Sequence, residues 1–170
     1  MEEIHKIIKT AIKMETDGIK FYQGTADKVS HPFGKEMFLS FRKDEERHLR
    51  VLKEILNELG FSNFEKYFGE TPRNRIKTVF EEARNEMREP VAASPDEMEA
   101  LQVGMKMEEK SVHFYQDALN KVTSSTTKDL LNRLILEEKD HYQILENTHS
   151  FLQNSGDWFL WEEKGLLDGG

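Results

Sequence analysis

The chain repeats itself at a fixed distance. Lys13-Met14-Glu15 returns as Lys106-Met107-Glu108 and Phe21-Tyr22-Gln23 as Phe114-Tyr115-Gln116, each 93 residues on (106 − 13 and 114 − 21). The same offset carries Glu45 onto Glu138, His48 onto His141 and Leu52 onto Leu145. Landmarks sharing one register over so long a stretch mean two copies of one structural unit, and this restricts the architecture more than any composition value does.

Each copy reads as a pair of long helices. Glycine and proline are sparse through these stretches, which are rich in Glu, Lys, Leu, Met and Ile. A first helix is expected over about residues 2–29 and a second from the Ser30-His31-Pro32 break to about Leu59, with Gly60 able to end it. Ser94-Pro95-Asp96-Glu97 opens the third as a capping box with proline at the first helical position. The fourth is expected after the polar run 123–127 and ends near Gln153, ahead of Gly156. Short links make each pair an antiparallel hairpin. The middle link is long, and residues 72–89 within it read as a further short amphipathic helix carrying Ile76, Val79, Phe80, Ala83 and Met87. The expectation is an all-α four-helix bundle of two repeated hairpins with one long crossover. Residues 1–153 form the bundle, and 154–170 are an aromatic tail (Trp158, Phe159, Trp161) packing on the bundle or at a subunit interface.

Charged residues interrupt the apolar stripes of these helices. The second helix presents Phe38, Phe41, Glu45, His48, Leu52, Ile55 and Leu59 in steps of three and four. The fourth presents Leu131, Leu134, Glu138, His141, Leu145, Thr148 and Leu152. The first places Glu15 between Ala11 and Tyr22, and the third places Glu108 between Gly104 and Tyr115. An uncompensated buried carboxylate costs several kcal/mol, so four in one core would consume the roughly 5–15 kcal/mol that holds a domain together. Cations must neutralise them. The heights agree as well: Glu15 lies 16 residues before His31, with Glu45 and His48 14 and 17 after it (31 − 15, 45 − 31, 48 − 31). Glu108, Glu138 and His141 stand at the same separations from Ser124 (124 − 108, 138 − 124, 141 − 124). Glu and His at i and i+3 share a helix face, so each Glu-x-x-His reaches one layer. Glu15, Glu45, His48, Glu108, Glu138 and His141 are therefore the expected ligands of two metal ions.

Other features narrow the chemistry. The chain has no cysteine, which removes thiolate sites from these residues and leaves oxygen and nitrogen donors suited to iron, manganese or zinc. A net charge of −8 without Lys/Arg blocks argues against nucleic acid as partner and suits a cation binder. No segment reaches transmembrane length and the N-terminus lacks a continuous apolar run, so the expectation is no membrane and a cytoplasmic location. Tyr22 and Tyr115, repeat-related, serve either as core packing or as phenols acting at the ligands. Asp44 and Glu137 are also repeat-related (137 − 44) and immediately precede ligand glutamates. Each is expected to accept a hydrogen bond from the outer ring nitrogen of the opposite hairpin's histidine. Glu46 and Glu109 read as solvated, the methionines as core filler, and His5, His31, His113 and His149 as surface or turn residues.

These paired Met-Glu-x₆-Tyr and Glu-x-x-His elements resemble the rubrerythrin branch of the ferritin-like superfamily, over nearly the whole chain to about Gln153. The resemblance implies a non-haem di-iron centre that reduces hydrogen peroxide or dioxygen, with Glu45 and Glu138 bridging the ions and electrons from a partner or an attached rubredoxin domain. Such a domain needs cysteine pairs, and with none here a separate carrier is expected. A homodimer or higher homo-oligomer is the expected assembly. Many rubrerythrins carry an additional Glu one turn after the third-helix ligand, where this chain has Ser111. The remaining six-ligand set also resembles the ferroxidase centre of bacterioferritin, and iron oxidation for storage or detoxification is the alternative reading. A metal-stabilised bundle without turnover and a manganese catalase are two further readings.

Overall fold

The computed structural model describes residues 2–57, 64–76 and 92–156. Four long helices carry the architecture: α1 (Glu2–Ala26), α2 (Pro32–Asn57), α3 (Pro95–Leu119) and α4 (Ser125–Ser155). α1 packs along α2 and α3 along α4, while α1 and α3 touch only lightly. The two units are therefore the two hairpins that the repeat predicts, side by side in an all-helical bundle.

Helix boundaries follow local chemistry. α1 stops at Ala26, three residues before the expected end, and Lys28 and Val29 donate their backbone N–H groups to the Thr25 carbonyl in a turn. α2 starts at Pro32, whose missing N–H costs nothing in a first turn. At the start of α3, Ser94 accepts from the Glu97 N–H and the Glu97 side chain accepts from the Ser94 N–H, closing the capping box. Glu97 does more than cap: its other oxygen accepts from Ser30 N–H at 2.8 Å and Ser30 Oγ at 3.0 Å, tying the first hairpin's turn to the second hairpin. α4 begins at Ser125, inside the polar run rather than after it, because Ser124 accepts from the Thr127 N–H and caps it. Its end matches expectation, with Gly156 in the left-handed region at φ 74°.

His31 lies in the α1–α2 turn, one of its two expected places, and differs from the expectation only in its burial. Its Nδ1 accepts from the Phe33 N–H at 3.1 Å. Of the expected crossover helix, residues 72–76 are helical, and the remainder lies outside the described residues, as do Leu59, Gly60 and the aromatic tail. A 3-10 turn, Glu65–Tyr67, precedes it.

The apolar core divides into two clusters separated along the bundle axis. One gathers Phe33, Phe38, Phe41, Leu101 and Leu145 toward the α1–α2 turn. The other gathers Ile8, Val51, Leu52, Leu131 and Leu134 toward the opposite end. Each such side chain contributes about 1.5–3 kcal/mol when fully buried. The layer between them belongs to the predicted ligands.

Candidate metal centre

All six predicted ligands are buried and meet in this middle layer. They form two overlapping groups, each with donor atoms within 4.8 Å of one another: Glu15, Glu45, His48 and Glu138, and Glu45, Glu108, Glu138 and His141. Glu45 and Glu138 occur in both. Each group thus has its own glutamate and histidine and shares two carboxylates with the other.

The histidine rings are held from behind. His141 Nε2 lies 2.9 Å from Asp44 Oδ2, and His48 Nε2 lies 3.0 Å from Glu137 Oε2. Each carboxylate belongs to the opposite hairpin, as the repeat suggested. An ionised carboxylate only accepts, so Nε2 carries the hydrogen in both rings. Nδ1 then faces inward. His141 Nδ1 stands 3.4 Å from Glu45 Oε1, 3.4 Å from Glu108 Oε1 and 3.3 Å from Glu138 Oε2. His48 Nδ1 stands 3.4 Å from Glu15 Oε2 and 3.3 Å from Glu138 Oε1.

This arrangement is electron-rich, and its innermost atoms have no donor. Glu15 Oε2, Glu45 Oε1, both Glu138 oxygens and both histidine Nδ1 atoms are buried with no hydrogen-bond partner. Lone pairs at 3.3–3.4 Å repel unless positive charge sits among them. Four carboxylates and two neutral imidazoles balance two divalent cations, and the orphaned atoms all border the layer those cations would fill. The donor set therefore fits a pair of oxygen- and nitrogen-preferring metal ions.

Protons compete for the same place. Burial, with the Glu138 charge adding to it, pushes Glu108 up to about 7. Burial and the Glu15 charge likewise push Glu45 well above the usual carboxylate range. Burial disfavours a charged His48, but the Glu138 charge and the bond to Glu137 outweigh it and raise the ring's pKa. For His141 the same opposition is settled by the Glu108 charge and the bond to Asp44.

Tyr22 and Tyr115 are fully buried and donate their hydroxyls to Glu108 and Glu15 respectively, each across to the other hairpin. Burial, with the charge of the accepting glutamate, raises both phenols well above their ordinary value, so they stay protonated as donors. Gly18 is part of the site as well. A Cβ there would lie 2.7 Å from Glu45 Oε2, so the shared carboxylate occupies space that only glycine leaves open. Its repeat counterpart is half-buried Ser111 (111 − 18).

Sequence reasoning missed the arginines outside this layer. Arg47 donates from one guanidinium nitrogen to Asp44 at 2.9 Å and from the other to Glu137. Arg75 reaches Asp44 at 2.7 Å and Arg133 reaches Glu137 at 3.4 Å. Burial opposes ionisation of Asp44, but the His141 hydrogen bond and these cations hold it well below the usual range. Glu137 is lowered too, its burial outweighed by the His48 hydrogen bond and Arg47. Only Arg47 had a signal in the sequence, lying one helical turn after Asp44 and one residue before a ligand.

A helical bundle with paired carboxylate and histidine ligands at mid-height belongs to the ferritin-like class. The sequence matches the family model for rubrerythrin over residues 6–149, and the chain belongs to that family. Among solved structures, a hypothetical protein from Pyrococcus furiosus is similar in fold, with a TM-score of 0.65, 22% identity, and coverage of 89% of this chain and 91% of that one. No curated protein matches. No helix among the described residues is long and apolar enough to cross a membrane.

Proposed function

We propose that this chain is a non-haem di-iron oxidoreductase that reduces hydrogen peroxide or dioxygen. The observation that carries this reading is the sharing of Glu45 and Glu138 between two four-ligand groups, which calls for two adjacent ions rather than one. Glu15 with His48 and Glu108 with His141 would each hold one ion, and Glu45 and Glu138, common to both groups, would serve both. Iron is the proposed metal, and manganese and zinc are compatible with the same donors. Bound ferrous ions would supply electrons to the O–O bond.

The chain's own residues do the remaining work. Asp44 and Glu137 keep the Nδ1 lone pairs of His141 and His48 turned inward. Tyr22 and Tyr115 orient the terminal carboxylates and carry the O–H groups nearest to them. Reducing one peroxide to two waters takes two electrons and two protons. A separate electron carrier is the proposed source of the electrons, solvent is the proposed source of the protons, and the phenols are the proposed catalytic hydrogen-bond donors beside the centre.

The test is peroxide turnover by the iron-loaded chain, with and without Glu138→Ala. Loss of turnover in the variant is expected, and equal turnover would contradict the reading. A second reading, ferroxidase activity in storage or detoxification, is favoured by half-buried Ser111, which offers no fifth carboxylate one turn after Glu108. Sizing separates the two, because the storage reading requires a closed shell of about two dozen chains in place of a small oligomer.

A further inference from the structure

Segment 64–76 runs from one core cluster to the other and crosses the bundle at the height of the centre. Phe64 is buried in the cluster of Val51 and Leu52, and Ile76 is fully buried in the cluster of Phe38 and Phe41. Between these anchors the segment lies behind the two histidines. The Tyr67 hydroxyl donates to Glu54 on α2, and Arg133 on α4 donates to the Gly69 carbonyl at 3.3 Å. The Phe68 ring centroid is 6.0 Å from that of His48, with the guanidiniums of Arg47 and Arg133 at 5.7 Å and 5.3 Å from it. Arg75 donates to its own segment's Glu70 carbonyl while another of its nitrogens sits 2.7 Å from Asp44 Oδ1 and 3.6 Å from Glu137 Oε2.

We propose that this segment is a working part of the centre: its docking and the binding of the ion pair stabilise each other, with Arg75 the positioning residue that links them. The proposal rests on the reading of the middle layer as a two-ion site. Its chain of contacts is short. Arg75 fixes Asp44, Asp44 fixes the outer edge of His141, and His141 presents Nδ1 to the ion position that it shares with Glu108. Phe68 meets His48 in a parallel way, covering the ring that serves the other position. A cation between the histidines and carboxylates holds both rings in the orientation that Asp44 and Glu137 need, which in turn presents Asp44 to Arg75. By linkage, whatever the segment adds to ion affinity, the ions return to the segment's docking. The four long helices already bring the six candidate ligands together without any such cover. The cover therefore gives a part-exposed stretch of chain direct leverage on the histidines.

The experiment compares the full-length chain ion-free and loaded anaerobically with Mn²⁺ or Fe²⁺. Backbone hydrogen exchange over 64–76 is expected to slow on loading. Arg75→Gln, with helical content retained, is expected to weaken ion binding by about tenfold to a hundredfold, the range found for groups that orient metal ligands. Arg75→Lys keeps a cation opposite Asp44 and is expected to recover part of that loss, which a merely structural role for the arginine would not predict. If Arg75→Gln fails to fold, the exchange comparison on the wild-type chain decides alone. A wild-type chain that takes up no ions contradicts the two-ion reading itself. A chain that binds its ions, with exchange over 64–76 unchanged by loading or affinity unchanged by Arg75→Gln, overturns the coupling and leaves the site standing.

Discussion

On the α1–α3 side of the centre, Tyr22 donates to Glu108 and Tyr115 donates to Glu15, so each contact is the repeat image of the other. On the α2–α4 side the symmetry holds through His48 with Glu137 and His141 with Asp44, then ends. The arginines beyond have no images: the 93-residue offset carries Arg47 onto Asp140 and Ser40 onto Arg133, and Arg75 lies in the single crossover. The difference has a topological cause. Duplicated hairpins supply the ligands in pairs, but two hairpins are joined by one connection, which can cover only one face. The layer of candidate ligands can therefore be near-symmetric while the charged groups behind it are not.

The arginine side offers the largest contrast. Arg47 donates a hydrogen bond to each outer carboxylate, whereas Arg75 stands close to Asp44 and farther from Glu137, so loss of Arg47 leaves two buried charges short of a partner. Arg47→Gln is expected to destabilise the chain by about 3 kcal/mol, the low end for breaking a buried pair because the guanidinium is part-exposed. Arg133→Gln, which removes a longer and more exposed contact, is expected to cost about 1 kcal/mol or less. Denaturant unfolding of both variants checks the order, and equal losses would mean that the arginines act as a diffuse charge cluster.

Gly18 and Ser111 sharpen the comparison next. Gly18→Ala places a methyl against Glu45, and the expected result is a destabilisation of about 1–3 kcal/mol together with weaker ion binding. Ser111→Ala is expected to stay within about 0.5 kcal/mol of the wild type. Calorimetric ion titration of both variants, with unfolding curves, checks this. The tyrosine pair should behave in the opposite manner: Tyr22→Phe and Tyr115→Phe each leave a buried carboxylate oxygen without its donor, and each is expected to cost about 1–2 kcal/mol. Clearly unequal costs would break the symmetry assigned to the α1–α3 side.

The smallest effect is a pH trend. Glu108 has its pKa raised in the folded chain from 4.5 to about 7, so the folded state holds that proton more tightly than the unfolded state. This contribution to stability is present below about pH 4.5 and is lost as pH rises through about 7. The raised histidines act in the same direction at higher pH. Ion binding must displace those protons, so the ion-loaded chain gains where the ion-free chain loses. The gap between their melting temperatures is expected to widen from about pH 5 to about pH 8, and a constant gap would mean that no protons leave on binding.

Much of this was legible in the sequence because a repeat announces its important positions twice. The six candidate ligands stood out as charges on apolar stripes, and the exchange of Asp44 and Glu137 between hairpins followed from their common offset. The capping box at Ser94 was a local signal, and the structure contains it. What could not be read had no second copy. Arg75 looks like any linker arginine until the chain path brings it to Asp44. Arg133 reads as a solvated helix residue, and the burial of His31 depends on how the α1–α2 turn meets Glu97 and its neighbours. The space beside Gly18 matters only because Glu45 swings into it, which depends on packing between helices.

The central claim is that two ions lie side by side and share Glu45 and Glu138. Counting ions bound per chain after anaerobic ferrous loading, in the wild type, Glu15→Ala and Glu138→Ala, tests it most directly. The account predicts about two ions in the wild type, about one in Glu15→Ala, whose other four-ligand group is untouched, and essentially none in Glu138→Ala, which loses a shared carboxylate from both groups. A wild-type chain holding no ion or a single ion, or a Glu138→Ala variant that still holds both, would contradict it.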